Sequence, residues 1–381
     1  MNSITISQPK KLVIARDAIT QLVNSLVELR VKRVFVLTDP HVLDKISPVF
    51  ENLRQTGSQV KIVLSPGHEP TFKNVEDVVC QAREFQTDYV VGIGGGSVLD
   101  IGKLVAALLD KPDALSSYVG NGLIKTRSIP LACAPTTSGA GSESSPNAIL
   151  IDESNHSKKG IIDHSVMPDA VYIDPNLMVT LPPHITAYTG LDALTHCIEA
   201  FANKNSHPVV DVFALQGIKL ISQNLGKAII NGADLEAREK VALGSYYGGM
   251  CLGPVNTAAV HALAYPLGTE YNIAHGLSNA LLLPFVLEFN LQNAENRYAE
   301  IALAMGGKQL KSQKETALQG IDLIRKLIKD CGMPARLSEL SITNDSVTSM
   351  AEDALKIQRL LKNNVREVAL KDAISIYQSA F

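Results

Sequence analysis

Tyr89-Val-Val-Gly-Ile-Gly-Gly-Gly-Ser-Val-Leu-Asp100 reads as a buried strand that runs into a glycine loop and then into a helix. Gly94, Gly95 and Gly96 remove every Cβ from the turn, so the backbone there can approach a ligand closely. Ser97 and Asp100 have the S-x-x-D spacing of a helix N-cap box. Free amides at such a helix start face an anion, and the helix dipole adds to the attraction. A pyrophosphate site and a bare strand-to-helix turn both fit this segment taken alone. It departs from the ordinary dinucleotide fingerprint. Reading G-x-G-x-x-G from Gly92 puts Ser97 where the third glycine belongs, and two strands precede it.

On either side of the loop, short β-branched runs alternate with amphipathic stretches. Strands are expected at Arg33–Thr38, Val60–Leu64, Tyr89–Ile93, Ile129–Ala134, Ala148–Ile151 and Ala170–Ile173, with helices at Leu43–Arg54 and Val75–Phe85. That alternation predicts an α/β domain with a mainly parallel sheet. After Leu181-Pro182-Pro183 the strand-like runs stop and helical patterns take over: Thr189–Ala202, Val209–Asn224, Glu236–Gly249, Asn293–Met305, Thr316–Cys331 and Thr348–Leu361. A chain of 381 residues exceeds what one hydrophobic core organises. The expected organisation is an α/β domain over 1–182 and an all-helical domain over 183–381, with a ligand cleft at their junction.

Hydrophobic residues make up 46% and charged residues 19%, so the chain is not disordered. The net charge is −3 with no Lys/Arg stripe, which argues against nucleic acid and anionic membranes as partners. Met1 to Lys11 lacks the apolar core of a signal peptide, and no apolar run reaches the ~20 residues of a membrane span. Five scattered cysteines without a CxxC pair suit reduced thiols. A cytoplasmic protein is expected, as a homodimer or larger homo-oligomer. Cys197 is read as a small buried filler.

Asp39 closes the run Leu37-Thr38-Asp39-Pro40. An acid at a strand's carboxyl edge can accept from an adenosine ribose and repel a 2′-phosphate; Asp-Pro is also a common turn start. Pro135-Thr-Thr-Ser-Gly-Ala-Gly-Ser-Glu143 is a second polar loop after a strand, suited to a ribose or carboxamide contact, or a surface turn. In the helical half, Gly190-Leu-Asp-Ala-Leu-Thr-His196 places Asp192 and His196 four apart, on one helix face. His261 lies in the apolar run Thr257–Tyr265, and His275 precedes Gly276. One carboxylate and up to three imidazoles make a site for Fe2+ or Zn2+. His41, His68, His156, His164, His184 and His207 stay unassigned.

Four motifs together resemble the iron-containing (group III) alcohol dehydrogenase family: GIGGGSVLD at 92–100, PTTSGAGSE at 135–143, TGLDALTHCIEAF at 189–201 and HALAYPLGTEYNIAHGLSNALLLP at 261–284. The ending Ile374-Ser-Ile-Tyr-Gln-Ser-Ala-Phe381 is similar to the family's C-terminal helix. The resemblance implies that the α/β domain binds a dinucleotide and the helical domain a metal. It implies Asp192, His196, His261 and His275 as metal ligands and Gly94, Gly95, Gly96 and Ser97 as the pyrophosphate loop, with Asp100 beside it. It also implies Thr136 and Thr137 near the nicotinamide, Asp39 as the acid linked to NAD preference, and Lys158 (with Lys159 its rival) near the cofactor. One position departs. Many members carry a second histidine four residues after the third ligand, where this chain has Tyr265. Tyr265 stays on the face of His261 and is expected to overlook the metal, but a phenol is a poorer neutral-pH proton shuttle than imidazole.

The implied chemistry is hydride transfer between a small primary alcohol or its aldehyde and NAD(H), with iron, or zinc as the alternative, lowering the alcohol's pKa. A short ω-hydroxy acid of the 4-hydroxybutyrate type and a polyol are the alternative substrates. A dehydroquinate synthase-like lyase would need a Lys/Arg cluster that the helical half lacks. A non-enzymatic scaffold would not need all four ligands.

Overall fold

The computed structural model describes residues 3–67, 69–154 and 157–381; His68 and His156 lie outside the described residues. The chain divides into two compact units, Ser7–Thr180 and a second made of residues 3–6 with Leu181–Phe381.

In the first unit β1 (Lys11–Ile14), α1 (Ala18–Glu28), β2 (Arg33–Thr38), α2 (Leu43–Gln55), β3 (Gln59–Leu64), α3 (Phe72–Glu84), β4 (Tyr89–Gly94) and α4 (Gly96–Leu108) alternate. They are followed by β5 (Gly120–Asn121), β6 (Leu131–Pro135), β7 (Asn147–Asp152), β8 (Ser157–Ile162) and β9 (Ala170–Ile173). The main sheet runs β1-β9-β6-β4-β2-β3 with every pair parallel. Its inner strands read as continuous apolar runs because both faces are covered, by α1 and α2 on one side and α3 and α4 on the other. From β2 the chain steps outward to β3, then crosses back to β4 on the other side of β2. Such a reversal opens a crevice outside the strands' carboxyl ends, where α/β sheets bind ligands.

Two expectations shift here. The strand expected at Ala148–Ile151 forms, but β7 pairs antiparallel with β8 in a separate small sheet, β5-β8-β7. Its pattern of apolar residues says that it is a strand and not which partner it takes. The polar start of β8, Ser157-Lys-Lys, hid that strand altogether. The N-cap box also falls away. The N-cap of α4 is Gly95, Ser97 lies within the first turn, and Asp100 is buried one turn further on, so its side chain serves a different purpose.

The second unit is helical: α5 (Pro183–Phe201), α6 (Pro208–Ile230), α7 (Leu235–Leu252), α8 (Ala259–Tyr271), α9 (His275–Ala304), α10 (Gln313–Asp330), α11 (Val347–Leu355), α12 (Gln358–Leu361) and α13 (Leu370–Ala380). The helix expected from Thr189 begins at Pro183. Proline suits the first helical position, since the N–H it lacks would be an orphan there, so the Pro-Pro pair starts the helix instead of bounding it from afar. The expected Asn293–Met305 segment is the last stretch of α9, set off by a non-helical Ala294. The expected 348–361 helix is two, broken at Lys356 and Ile357. α5 is the hub, with 14 buried residues packed by α6, α7 and α9. Cys197 is a fully buried filler on it. Among the described residues no helix is long and apolar enough to cross a membrane.

Candidate active site

In the first unit three neighbouring strands end side by side. Asp39 follows β2, the glycine loop follows β4 and Thr136 and Thr137 follow β6. The two loops are packed together: Thr136 N–H donates to Gly94 O at 3.0 Å. A Cβ on Gly96 would stand 2.7 Å from Ala140 Cβ, and one on Gly94 2.5 Å from the Val98 side chain. Glycine is therefore required at both by packing, before any ligand is considered. The amides in the first turn of α4, which starts at Gly96, have no intrahelical acceptor, as an anion site needs. Asp39 acts as a turn former, its Oδ1 accepting from His41 N–H at 2.8 Å, and it sits at the strand end that a ribose contact would use. Lys158 is on β8, paired with Glu69 at 2.5 Å, while Lys159 lies next to it on the opposite face of the strand.

Asp100 belongs to a buried clamp that the sequence reading missed. Its Oδ2 accepts from Ile149 N–H at 2.9 Å and its Oδ1 from the Ser142 hydroxyl. Lys103, one turn on and fully buried, donates from Nζ to Ser142 O at 2.8 Å, to Ser145 O at 2.9 Å and to Asn147 O. Burial pushes the Asp100 carboxyl up and the Lys103 ammonium down, and each is the other's main electrostatic compensation. The pair ties α4, which opens at the glycine loop, to the polar loop that carries Thr136 and Thr137. Asp100 thus positions both loops and does not face an anion itself.

Glu143, at the end of that loop, is buried, and desolvation pushes its carboxyl up to about 7 from an ordinary 4.5. A raised carboxyl keeps its proton in the folded protein while the unfolded chain releases it. Stability is therefore full below pH 4.5 and is lost as the pH climbs to about 7. Glu143→Gln stays neutral and should be stabilised relative to the wild type by about 1–3 kcal/mol more at pH 8 than at pH 5. Thermal melts at both pH values check this, and an equal shift at both contradicts it.

In the second unit three histidine nitrogens converge on one carboxylate oxygen. Nε2 of His261, His275 and His196 stand 3.6, 3.8 and 4.0 Å from Asp192 Oδ1. Ligand atoms of Asp192, His261 and His275 all lie within 4.8 Å of one another, and the His196 ring stacks on His261 at 4.7 Å. Donors ~2.1 Å from a shared tetrahedral centre stand roughly 3.4 Å apart, so the set fits a divalent transition metal. His261 Nε2 is buried with no hydrogen-bond partner, as a nitrogen kept for a metal would be. Burial pushes the Asp192 carboxyl up, but His196, His275 and His261 together hold it well below the usual carboxylate range. The group that could hold a metal is thus an ionised Asp192 with His261 and His275, and His196 stands beside it, stacked on His261. Asp192, His196 and His261 are buried, while the His275 side chain is a third exposed and marks the side open to solvent.

Three features outside the ligand set hold this geometry. Glu199 Oε2 accepts from His261 Nδ1 at 2.5 Å, and its Oε1 accepts from Val260 N–H at 2.6 Å. One carboxylate therefore caps the start of α8 and orients His261 with Nε2 toward Asp192. Asn279 Nδ2 donates to Asp192 Oδ1 at 2.7 Å. At Gly276 a Cβ would lie 2.1 Å from Tyr188 O, so only glycine lets α9 cross α5 closely enough to bring His275 to Asp192. Glu199 lies inside the quoted TGLDALTHCIEAF motif, seven residues (two helical turns) after Asp192 and so on the same face. That spacing was the available signal. Tyr265 lies beside the cluster, its ring 6.0 Å from that of His275, and its hydroxyl accepts from Arg359 Nη2 at 2.7 Å.

The sequence profile of the iron-containing alcohol dehydrogenases matches residues 9–175, and that of the C-terminal part of the Fe-containing alcohol dehydrogenase family matches 186–381. Long-chain-alcohol dehydrogenase 1 of Geobacillus thermodenitrificans is 36% identical over 371 residues, 96% of this chain and 93% of that protein. The NAD-dependent methanol dehydrogenase of Bacillus methanolicus is 30% identical over 98% of both chains. The crystal structure of a 1,3-propanediol oxidoreductase superposes with a TM-score of 0.95 at 32% identity, covering 100% of both chains. With the glycine loop, the buried carboxylate–imidazole cluster and both halves matched, this chain belongs to the iron-containing alcohol dehydrogenase family.

Proposed function

We propose that the protein interconverts small primary alcohols and aldehydes with NAD(H), using a divalent metal, iron first and zinc as the alternative, held by Asp192, His196, His261 and His275. The observation that carries this reading is the convergence of three Nε2 atoms on Asp192 Oδ1, with His261 oriented by Glu199. A cation in that set supplies Lewis acidity toward a hydroxyl or carbonyl oxygen. The chain's own residues do the rest by position. The amides from Gly94 to Ser97 meet the pyrophosphate. Thr136 and Thr137 contact the nicotinamide half, Asp39 accepts from the adenosine ribose, and Lys158 contributes a charge near the cofactor. Asn279 and Glu199 keep Asp192 and His261 aimed. No protein nucleophile is needed, because the hydride moves directly between carbon atoms held in alignment.

A panel of alcohols and aldehydes assayed with NAD(H), NADP(H) and added Fe2+ or Zn2+ tests the reading; no turnover with any pair overturns it. Asp39 sharpens the cofactor arm. A carboxylate near a 2′-phosphate costs roughly 1–3 kcal/mol at partly buried range. Asp39→Gly should then narrow the NAD-over-NADP ratio in kcat/KM by about one to two orders of magnitude. A wild type that already prefers NADP contradicts that role.

A further inference from the structure

We infer that Arg359 recognises an anionic group at the far end of the substrate, so that the preferred substrates are short aldehydes and alcohols carrying a terminal carboxylate or a like anion. This deepens the alcohol–aldehyde reading and rests on it.

The inference begins at Tyr265, one helical turn beyond His261 on α8. Its ring stands 6.0 Å from the ring of His275, the one member of the metal set open to solvent. On the outer side of Tyr265 lies Arg359, from the short helix α12. Its Nη2 donates to the Tyr265 hydroxyl at 2.7 Å and its Cζ lies 5.7 Å from the ring centroid. Two short steps, 6.0 Å and 5.7 Å, therefore lead from His275 to an exposed guanidinium. The guanidinium therefore lies less than about 12 Å from the His275 ring, a gap that a short substrate and the flexible arginine stem would close together.

The charge of this guanidinium is uncompensated. Among the described residues no carboxylate lies within ion-pair distance of Arg359, whereas Arg297 is paired with Asp211 at 2.7 Å, Arg325 with Glu288 at 2.7 Å and Arg366 with Asp372 at 3.9 Å. The partner chosen for Arg359 explains the difference. A carboxylate would hold the side chain and cancel its charge, but a phenol oxygen takes one N–H and leaves the charge intact. The remaining donors of the planar fork match a carboxylate in two-point contact. A protonated imidazole at position 265 would repel the guanidinium and offer it no acceptor. Tyrosine at 265 and arginine at 359 thus work as a pair, one anchoring and one reading.

The test compares two four-carbon aldehydes, succinic semialdehyde and butyraldehyde, which differ at the far end by a carboxylate. Wild type is expected to favour the anionic aldehyde in kcat/KM. Arg359→Gln should lower the ratio of the two by at least about tenfold, through KM of the anionic substrate, as loss of a charge-assisted contact requires. Tyr265→Phe should lower it less, with metal content unchanged. An unchanged ratio in Arg359→Gln, or a wild type that favours butyraldehyde tenfold or more, overturns the inference. A second readout needs no turnover. 4-Hydroxybutyrate and 1-butanol are titrated into the NADH-bound protein, where no hydride can leave the alcohol. Weakening of 4-hydroxybutyrate alone in Arg359→Gln supports anion recognition even if neither aldehyde is reduced, a result that would count against the alcohol–aldehyde reading only. Equal binding by both proteins overturns the role of Arg359.

Discussion

His261→Ala should strip the protein of bound metal and lower kcat on the order of 10³-fold or more while NADH still binds. His261 is buried, its Nε2 has no partner but the cluster, and it stands nearest to Asp192 Oδ1 at 3.6 Å. Removing it leaves two imidazoles and a carboxylate, and the vacated space lies in a buried region with Asp192 at its centre. Lewis-acid assistance is worth several kcal/mol, and each 1.4 kcal/mol is about tenfold in rate. The glycine loop belongs to the other compact unit, so dinucleotide binding should survive. Metal analysis, kcat and NADH fluorescence titration measure the three effects separately. A chelated wild type that keeps full activity contradicts the expectation.

Glu199→Ala should be the next most damaging change, although Glu199 is not a ligand. It frees His261 to change tautomer or rotate, and it leaves the amide at the start of α8 without its acceptor. Loss of a carboxylate behind a ligating histidine typically weakens metal binding by about 10–100-fold. Loss of the cap costs about 0.5–2 kcal/mol of stability. Glu199→Gln separates the two effects. Its amide oxygen can still accept one hydrogen bond, so most of the stability should return while metal affinity stays reduced. Metal titrations and melting temperatures of both variants read the difference. Unaltered metal affinity in both would show that His261 orients itself.

The alternation of strand and helix was legible because burial on both faces imposes long apolar runs on β2 and β4, and those runs survive in the bare sequence. Where an element is half exposed the signal fades. β8, with Lys158 and Lys159 in its first half, was missed, and β1 and α1 with it. The glycine loop was legible because Gly94 and Gly96 each stand where a Cβ would collide with a neighbouring side chain. The role of Asp100 was misread because the S-x-x-D spacing reports only neighbours within one turn. The partners of Asp100, Ser142 and Ile149, lie 42 and 49 residues away.

By itself the sequence determined the class of each half, the ends of the strands that carry Asp39, the glycine loop and Thr136, and the pairing of Asp192 with His196 on one helix face. All of these follow from local periodicity, since 3.6 and 2 residues per repeat decide what shares a face. Only the tertiary structure decided that β7 leaves the main sheet, that Glu199 orients His261 from 62 residues away, and that Gly276 brings α9 against α5. The same holds for Arg359, which reaches Tyr265 across 94 residues of chain. These contacts join segments distant in sequence, and their geometry depends on how closely two helices can approach, which no single helix's pattern records.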